Sequence, residues 1–231
     1  VVLDAAAPVG LSILASGARS PDRSLEAVIA ACEKDAACAS RYPSFRAGLA
    51  AVLARLDAGP VKGVAPDPVT GKRGGFVLDR LAVGNAIRVA LYSRSTAELL
   101  PFAIAEAARD NWAPILGLSI AAFDERLSMG AQFSALCAED WRQADALPPA
   151  ERTGQLMKDG YYSFFSPACA IWPMDPLPAE MLKPFRSNVP ALVISGAYDP
   201  VTPPDLGEQT VAQFPNGRHL VVPNGFHGNS A

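Results

Sequence analysis

Histidine is nearly absent from this 231-residue sequence, with two in all, and that scarcity argues against a zinc site built on histidine and cysteine ligands. Cysteine is scarce too: there are four, and no C-x-x-C spacing among them, which argues against a redox dithiol. Basic charge is not in excess. Twenty Lys and Arg against 23 Asp and Glu give a net charge of −3 and a pI near 5.4, so there is no electrostatic footprint for nucleic acid. No apolar run approaches the ~20 residues of a membrane span. The opening VVLDAAAPVG lacks an initiator Met and the basic flank of a signal peptide. Because it starts on a strand pattern and stops at HGNSA, the sequence is expected to be a piece of a longer protein. What is plentiful is apolar side chain, 50% of all residues, enough for a sizeable core in one large or two small domains.

The chemistry gathers near the C-terminus. ALVISGAYDPVTPP (191–204) and RHLVVPNGFHG (218–228) each begin with a short apolar run bounded by Gly, Pro or Asn, the pattern of a buried parallel strand. Each run delivers one titratable residue into the loop that follows it, Asp199 in the first case and His227 in the second. Open α/β sheets collect their ligands and catalytic groups at the carboxyl ends of strands. Asp followed by His is also the order of the last two members of an α/β-hydrolase triad. A buried carboxylate that accepts the imidazole N–H fixes the tautomer and leaves the other ring nitrogen to take a proton from a serine. Taken singly, Asp199 before Pro200 is ordinary turn chemistry and His227 is a loop histidine.

Upstream, VVLDAAAP reads as another buried strand closed by Pro8. Ala-rich helical patterns then cover 24–34, 42–57, 78–91, 95–111, 112–126 and 150–158, and a last one covers 206–213. Ser24 is a candidate N-cap, and Ser95 with Glu98 has capping-box spacing. Residues 59–75, rich in Pro and Gly, read as loop. The expected fold class is α/β. Residues 1–10 are a core strand, 11–188 a helical cap inserted between adjacent strands, and 189–231 the rest of the core with its Asp and His. A structureless link of that length would not suit a compact domain, whereas a helical subdomain does.

VVLDAAAP, the Cys32 to Cys38 spacing followed by RYP, MGAQFSALCAEDW, ACAIWP (168–173), SGAYDPVTPP and GFHG together resemble the secreted α/β-hydrolases of the tripeptidyl aminopeptidase and prolyl aminopeptidase-like (TAP-like) family. The resemblance spans nearly all of the chain. It implies an exopeptidase or related serine hydrolase with a helical cap, Asp199 as triad acid and His227 as base. No cofactor is expected.

The family's nucleophile elbow, G-x-S-x-G, is absent. Gly10-Leu11-Ser12-Ile13-Leu14 lacks the second glycine, and Gly117-Leu118-Ser119-Ile120-Ala121 lies inside a helical pattern, where no sharp strand-to-helix turn can expose the serine. The oxyanion hole, built from backbone around the elbow and an earlier loop, is expected to be missing as well. About half an active site is expected. The partners implied are a peptide or small ester substrate and the other half of the hydrolase core, in cis or as another chain.

The even cysteine count reads as disulfides, hence an oxidising compartment, and the localisation expected is secreted or periplasmic. Four cysteines allow three pairings. Cys32–Cys38 with Cys137–Cys169 is the one favoured, because the first pair is local and the resemblance supports it. The resemblance also puts an acidic cap residue in the role of holding a free α-ammonium group. Glu139, in LCAEDW, is the candidate and the adjacent Asp140 its rival. Alternatively, both begin a helix through Trp141 and Arg142, where acidic residues complement the N-terminal dipole. Two functions follow: a serine hydrolase, foremost an aminopeptidase, or a binding module that has lost its nucleophile, with an esterase of the same fold as a variant of the first.

Overall fold

The computed structural model describes residues 1–67, 70–121, 128–175 and 177–229. Its elements run β1 (Val2–Asp4), α1 (Ile13–Lys34), α2 (Ala36–Arg41), α3 (Phe45–Asp57), β2 (Val61–Pro66), β3 (Arg73–Leu78), α4 (Arg80–Ala90), α5 (Arg94–Ala97), α6 (Leu100–Ala107) and α7 (Ala113–Ala121). After them come α8 (Met129–Glu139), α9 (Trp141–Ala146), α10 (Gly160–Cys169), β4 (Leu192–Gly196), α11 (Pro204–Val211) and β5 (Arg218–Val222). The chain divides into two compact units, residues 1–25 with 125–231 and residues 26–124.

The first unit carries a parallel sheet in the order β1-β4-β5. Leu192 of the central strand β4 lies opposite both Val2 and Arg218. Successive β4 residues alternate sides, and Val193 and Ser195 point into the buried face, at 0% and 1% exposure. Helix α11 links β4 to β5 as a βαβ unit and packs on both strands. With helices and a parallel sheet in one unit, the α/β class holds.

The second unit is mostly helical. Val52, Leu56, Val83, Ile87, Leu91, Leu100, Ile104 and Ile115 are buried there, along the apolar faces of α3, α4, α6 and α7. It also contains an antiparallel ribbon, β2 with β3, where the sequence reading expected loop over 59–75. The glycines that suggested loop have another use. Gly63 faces Phe76 across the ribbon, and a Cβ there would stand 2.7 Å from the Phe76 ring. Burial along β2 alternates with period two, so the strand signal was present beneath the Pro and Gly content.

Other boundaries also differ from expectation. The Ser95–Glu98 capping box does not form: Ser93 caps α5 through the Thr96 N–H, and Glu98 pairs with Arg94 at 2.7 Å. Pro101, near the start of α6, begins a new helix instead of continuing the old one. Helix α7 accounts for the pattern at 112–126 up to residue 121, and 122–126 lie outside the described residues. Residues 150–158 are not helical. A 3₁₀ turn (Pro149–Arg152) leads into a bridge between Gly154 and Lys158, with Lys158 left-handed at φ 55°. The Asp22 carboxylate draws this stretch out of helix by accepting the N–H groups of Gln155 and Leu156 at 2.5 and 2.9 Å. Helices α8 and α10 fall where no helical pattern was read.

Both disulfides are present in the favoured pairing. Cys32–Cys38 ties α1 to α2, and Cys137–Cys169 ties α8 to α10 within an aromatic core that includes Tyr162 and Phe165. Disulfides persist in oxidising compartments and not in the reducing cytosol. Among the described residues no helix is long and apolar enough to cross a membrane.

Helix α1 begins eleven residues before Ser24, so Ser24 is not an N-cap. Its start is held elsewhere. The Ser12 hydroxyl accepts from the Ala15 N–H at 3.1 Å, and the buried Asp140 carboxylate accepts from the Leu14 N–H at 2.5 Å. Pro21, inside the helix, costs it one backbone bond without ending it. Burial raises the Asp140 carboxyl above its ordinary 3.8. The Ser12 hydroxyl and the Leu14 and Ile13 N–H groups oppose that rise, and neighbouring Glu139 adds to it. A carboxyl whose pKa rises on folding holds its proton more tightly native than unfolded. Stability is therefore lost as pH climbs from the unfolded value toward the raised one. Asp140→Asn keeps an acceptor for Leu14 and has no proton to lose. The unfolding free energy of the variant relative to wild type, from urea melts, should move in the variant's favour between about pH 4 and neutrality. A difference that is constant, or that moves the other way, would contradict a desolvated Asp140.

Candidate active site

The site is built where β4 and β5 end. β4 stops at Gly196, and the chain turns through Ala197 and Tyr198, whose N–H groups donate to Val222 O and Gly225 O, each at 3.0 Å. Those bonds lace the loop after β4 to the loop after β5. Gly196 is required here because a Cβ would overlap the backbone of Gly225 and Phe226. The next residue along is Asp199.

The Asp199 side chain is wholly buried. Its Oδ1 accepts the Val201 and Thr202 N–H groups, each at 2.8 Å, and its Oδ2 accepts the Thr202 hydroxyl at 2.9 Å. Both oxygens also stand 3.0 Å from Nδ1 of His227, 28 residues later. Turn capping and histidine orientation, alternatives at the level of sequence, are thus carried by one carboxylate. An ionised carboxylate only accepts, so Nδ1 bears the proton and Nε2 is the basic nitrogen. The His227 side chain is 28% exposed, which leaves the imidazole partly open while its carboxylate is sealed.

The loop bearing His227 is pinned on its far side. The Asn229 N–H donates to the Asp4 carboxylate at 2.6 Å, and the Asn229 side-chain amide donates to Phe226 O at 2.9 Å. Asp4 sits at the carboxyl end of β1, so each of the three parallel strands ends on a residue that shapes this site. Within VVLD, Asp4 carries no motif signal of its own. Its position at the end of a strand, beside two others whose following loops carry Asp199 and His227, is the available signal. Thr202 was likewise quoted in the DPVT run without being recognised as a ligand of Asp199.

The serines of the two imperfect elbows are committed to helices. Ser12 caps α1, and the Ser119 hydroxyl donates to Ile115 O at 3.0 Å within α7. One further serine meets a histidine. Ser195 Oγ lies 3.0 Å from His219 Nε2, but Ser195 is 1% exposed and α11 covers the pair, with Gly207 close enough that a Cβ would stand 2.5 Å from that nitrogen. This contact is packing between sheet and helix. Among the described residues no group of three or more His, Cys, Asp or Glu is arranged to hold a metal ion.

Of the two acidic candidates, Asp140 is buried on the first turn of α1, and Glu139, at the end of α8, is exposed. Asp140 also stands at the junction of α8 and α9 but makes no side-chain cap to α9.

No curated protein matches the chain at a significant level. A family model does match residues 156–231, the stretch holding β4, α11, β5, Asp199 and His227, under the description TAP-like protein. That match coincides with the strands and the Asp–His pair already described. Over residues 156–231 the chain is similar to TAP-like proteins, and its parallel sheet with helices fits the α/β class.

Proposed function

We propose that this chain is the C-terminal part of a serine hydrolase, foremost an aminopeptidase that releases short peptides or single residues from peptide N-termini. The observation that carries the reading is the sealed Asp199 carboxylate with both oxygens 3.0 Å from His227 Nδ1. In this reading Asp199 holds the imidazole with Nε2 as base. Nε2 takes the proton of a serine hydroxyl as that oxygen attacks the scissile carbonyl, and returns it to the leaving amine. Asp199 stays ionised and stabilises the imidazolium between those two events. In this reading the serine comes from outside residues 1–231, which the lack of a G-x-S-x-G and the bonding of Ser12 and Ser119 into helices support. Strand β1 stands at one edge of the sheet, with Val2 62% exposed on it.

The domain reading keeps 1–10 as a core strand, 11–188 as a cap and 189–231 as the rest of the core, with the two disulfides supporting a secreted or periplasmic protein. A nucleophile-less binding module remains the second reading, favoured by the same missing elbow, and an esterase of this fold is the third. A fluorophosphonate probe separates them. It should leave the 231-residue chain unlabelled and should label one serine outside residues 1–231 in the longer protein. Labelling at Ser12 or Ser119, or no labelling of the longer protein, would overturn the serine-hydrolase reading.

Glu139 is the group proposed to hold the substrate's α-ammonium, since it is exposed where Asp140 is occupied by α1. An opposing carboxylate favours a free amine over an uncharged peptide bond. Glu139→Gln in the longer protein should lower kcat/KM about tenfold or more for a free-amino peptide and leave an uncharged ester within about twofold. Equal losses on both substrates would make Glu139 structural and favour the esterase.

A further inference from the structure

Resting on the reading of Asp199 and His227 as an acid–base pair, we propose that Ser24, in the middle of helix α1, is a positioning residue for that pair. Serine is a poor choice for a helix interior, where its hydroxyl ordinarily turns back on its own helix or out to water. Ser24 does neither. It is 3% exposed, and its hydroxyl donates at 2.6 Å to the carbonyl of Tyr198, 174 residues away.

Tyr198 is the point where the two catalytic loops are joined. Its N–H donates to Gly225 O at 3.0 Å, and its ring stacks on Phe226 with centroids 5.3 Å apart and planes 28° apart. Phe226 immediately precedes His227, and the Tyr198 carbonyl belongs to the peptide that leads into Asp199. The N–H of the Tyr198–Asp199 peptide, that of Asp199, donates to Gly196 O at 3.2 Å, so with the carbonyl held by Ser24 and the preceding peptide held by Gly225 this peptide plane is restrained on both sides. The direction in which Asp199 presents its carboxylate follows from that plane. Without the hydroxyl, a part-buried carbonyl loses its donor, and the peptide gains a reason to tilt toward another.

The donor is delivered on a fixed rod. Asp140 holds the first turn of α1. Gly17, one turn further on, lies so close to Tyr161 of α10 that a Cβ would stand 2.6 Å from the ring. Asp22 grips the backbone at 155–156, and Arg23 pairs with Asp205 in the first turn of α11 at 2.7 Å. Ser24 follows directly. Ser20, four residues earlier and fully buried, has no hydrogen-bond partner among the described residues, so it provides a matched control on the same helix.

The test reads the Asp199–His227 contact directly and activity separately. In the 231-residue chain, the Nδ1–H proton resonance of His227 reports its bond to Asp199, and His219, bonded to Ser195, serves as an internal reference. Ser24→Ala should move or broaden the His227 resonance while His219 stays in place, and Ser20→Ala should move neither. In the longer protein, Ser24→Ala should lower kcat roughly 10- to 100-fold with KM within about twofold, the signature of a misaligned catalytic group. Ser24→Thr, which keeps the hydroxyl, should restore most of that loss. If circular dichroism shows that Ser24→Ala does not fold, Ser24→Cys, close in size and a weak donor, takes its place with the same expected shift. An unmoved His227 resonance in the folded variant, or an equal effect from Ser20→Ala, overturns the proposal. Absence of turnover in the wild-type longer protein would sink the hydrolase reading, and the resonance would still decide the role of Ser24.

Discussion

A carboxylate with no exposed surface must find every partner inside the protein, and the arrangement around Asp199 follows from that need. Three donors from Val201 and Thr202 and the imidazole of His227 meet its two oxygens. Supplying them fixes the turn after β4, the loop after β5 and the distance between them. Gly196 lets the two loops touch, and Asp4 holds the second loop from the third strand. Breaking one partner of such a buried set leaves a charge that nothing else can solvate, which is why the arrangement is stiff.

Helix α1 extends that stiffness away from the sheet. It collects bonds from three separate parts of the first unit, at Asp140, at 155–156 and at α11, and brings Ser24 to the Tyr198 carbonyl. The solvent-exposed Arg23–Asp205 pair contributes little energy by itself. The bonds of Asp140, buried, and of Ser24, part-buried, matter more, because water competes less there.

The Asp–His pair was legible because its signals are short-range: an apolar run, a turn residue and one titratable side chain, twice in succession. The β2–β3 ribbon was obscured because glycine serves loops and close-packed strands alike, and only the Phe76 ring opposite Gly63 tells them apart. Helix α10 was obscured by its content, since Tyr161, Tyr162, Phe164 and Phe165 have strand propensity and Pro167 suggests a break. Its helicity comes from packing against Phe133 and from the Cys137–Cys169 bridge. Ser24 reads as an N-cap candidate because it directly precedes a helical pattern. Its actual partner lies 174 residues away, beyond any local pattern. Of Glu139 and Asp140, sequence had no means to decide which faces the protein, because that depends on where the start of α1 arrives.

The central claim is that Asp199 orients His227 for proton transfer, and the most direct measurement is the turnover of Asp199→Asn in the longer protein. The amide presents a donor where Nδ1 needs an acceptor, which favours the wrong tautomer with little change in shape. The account predicts a fall in kcat of about 10⁴-fold with substrate binding largely kept, by analogy with the serine protease triad. A loss below tenfold would contradict it.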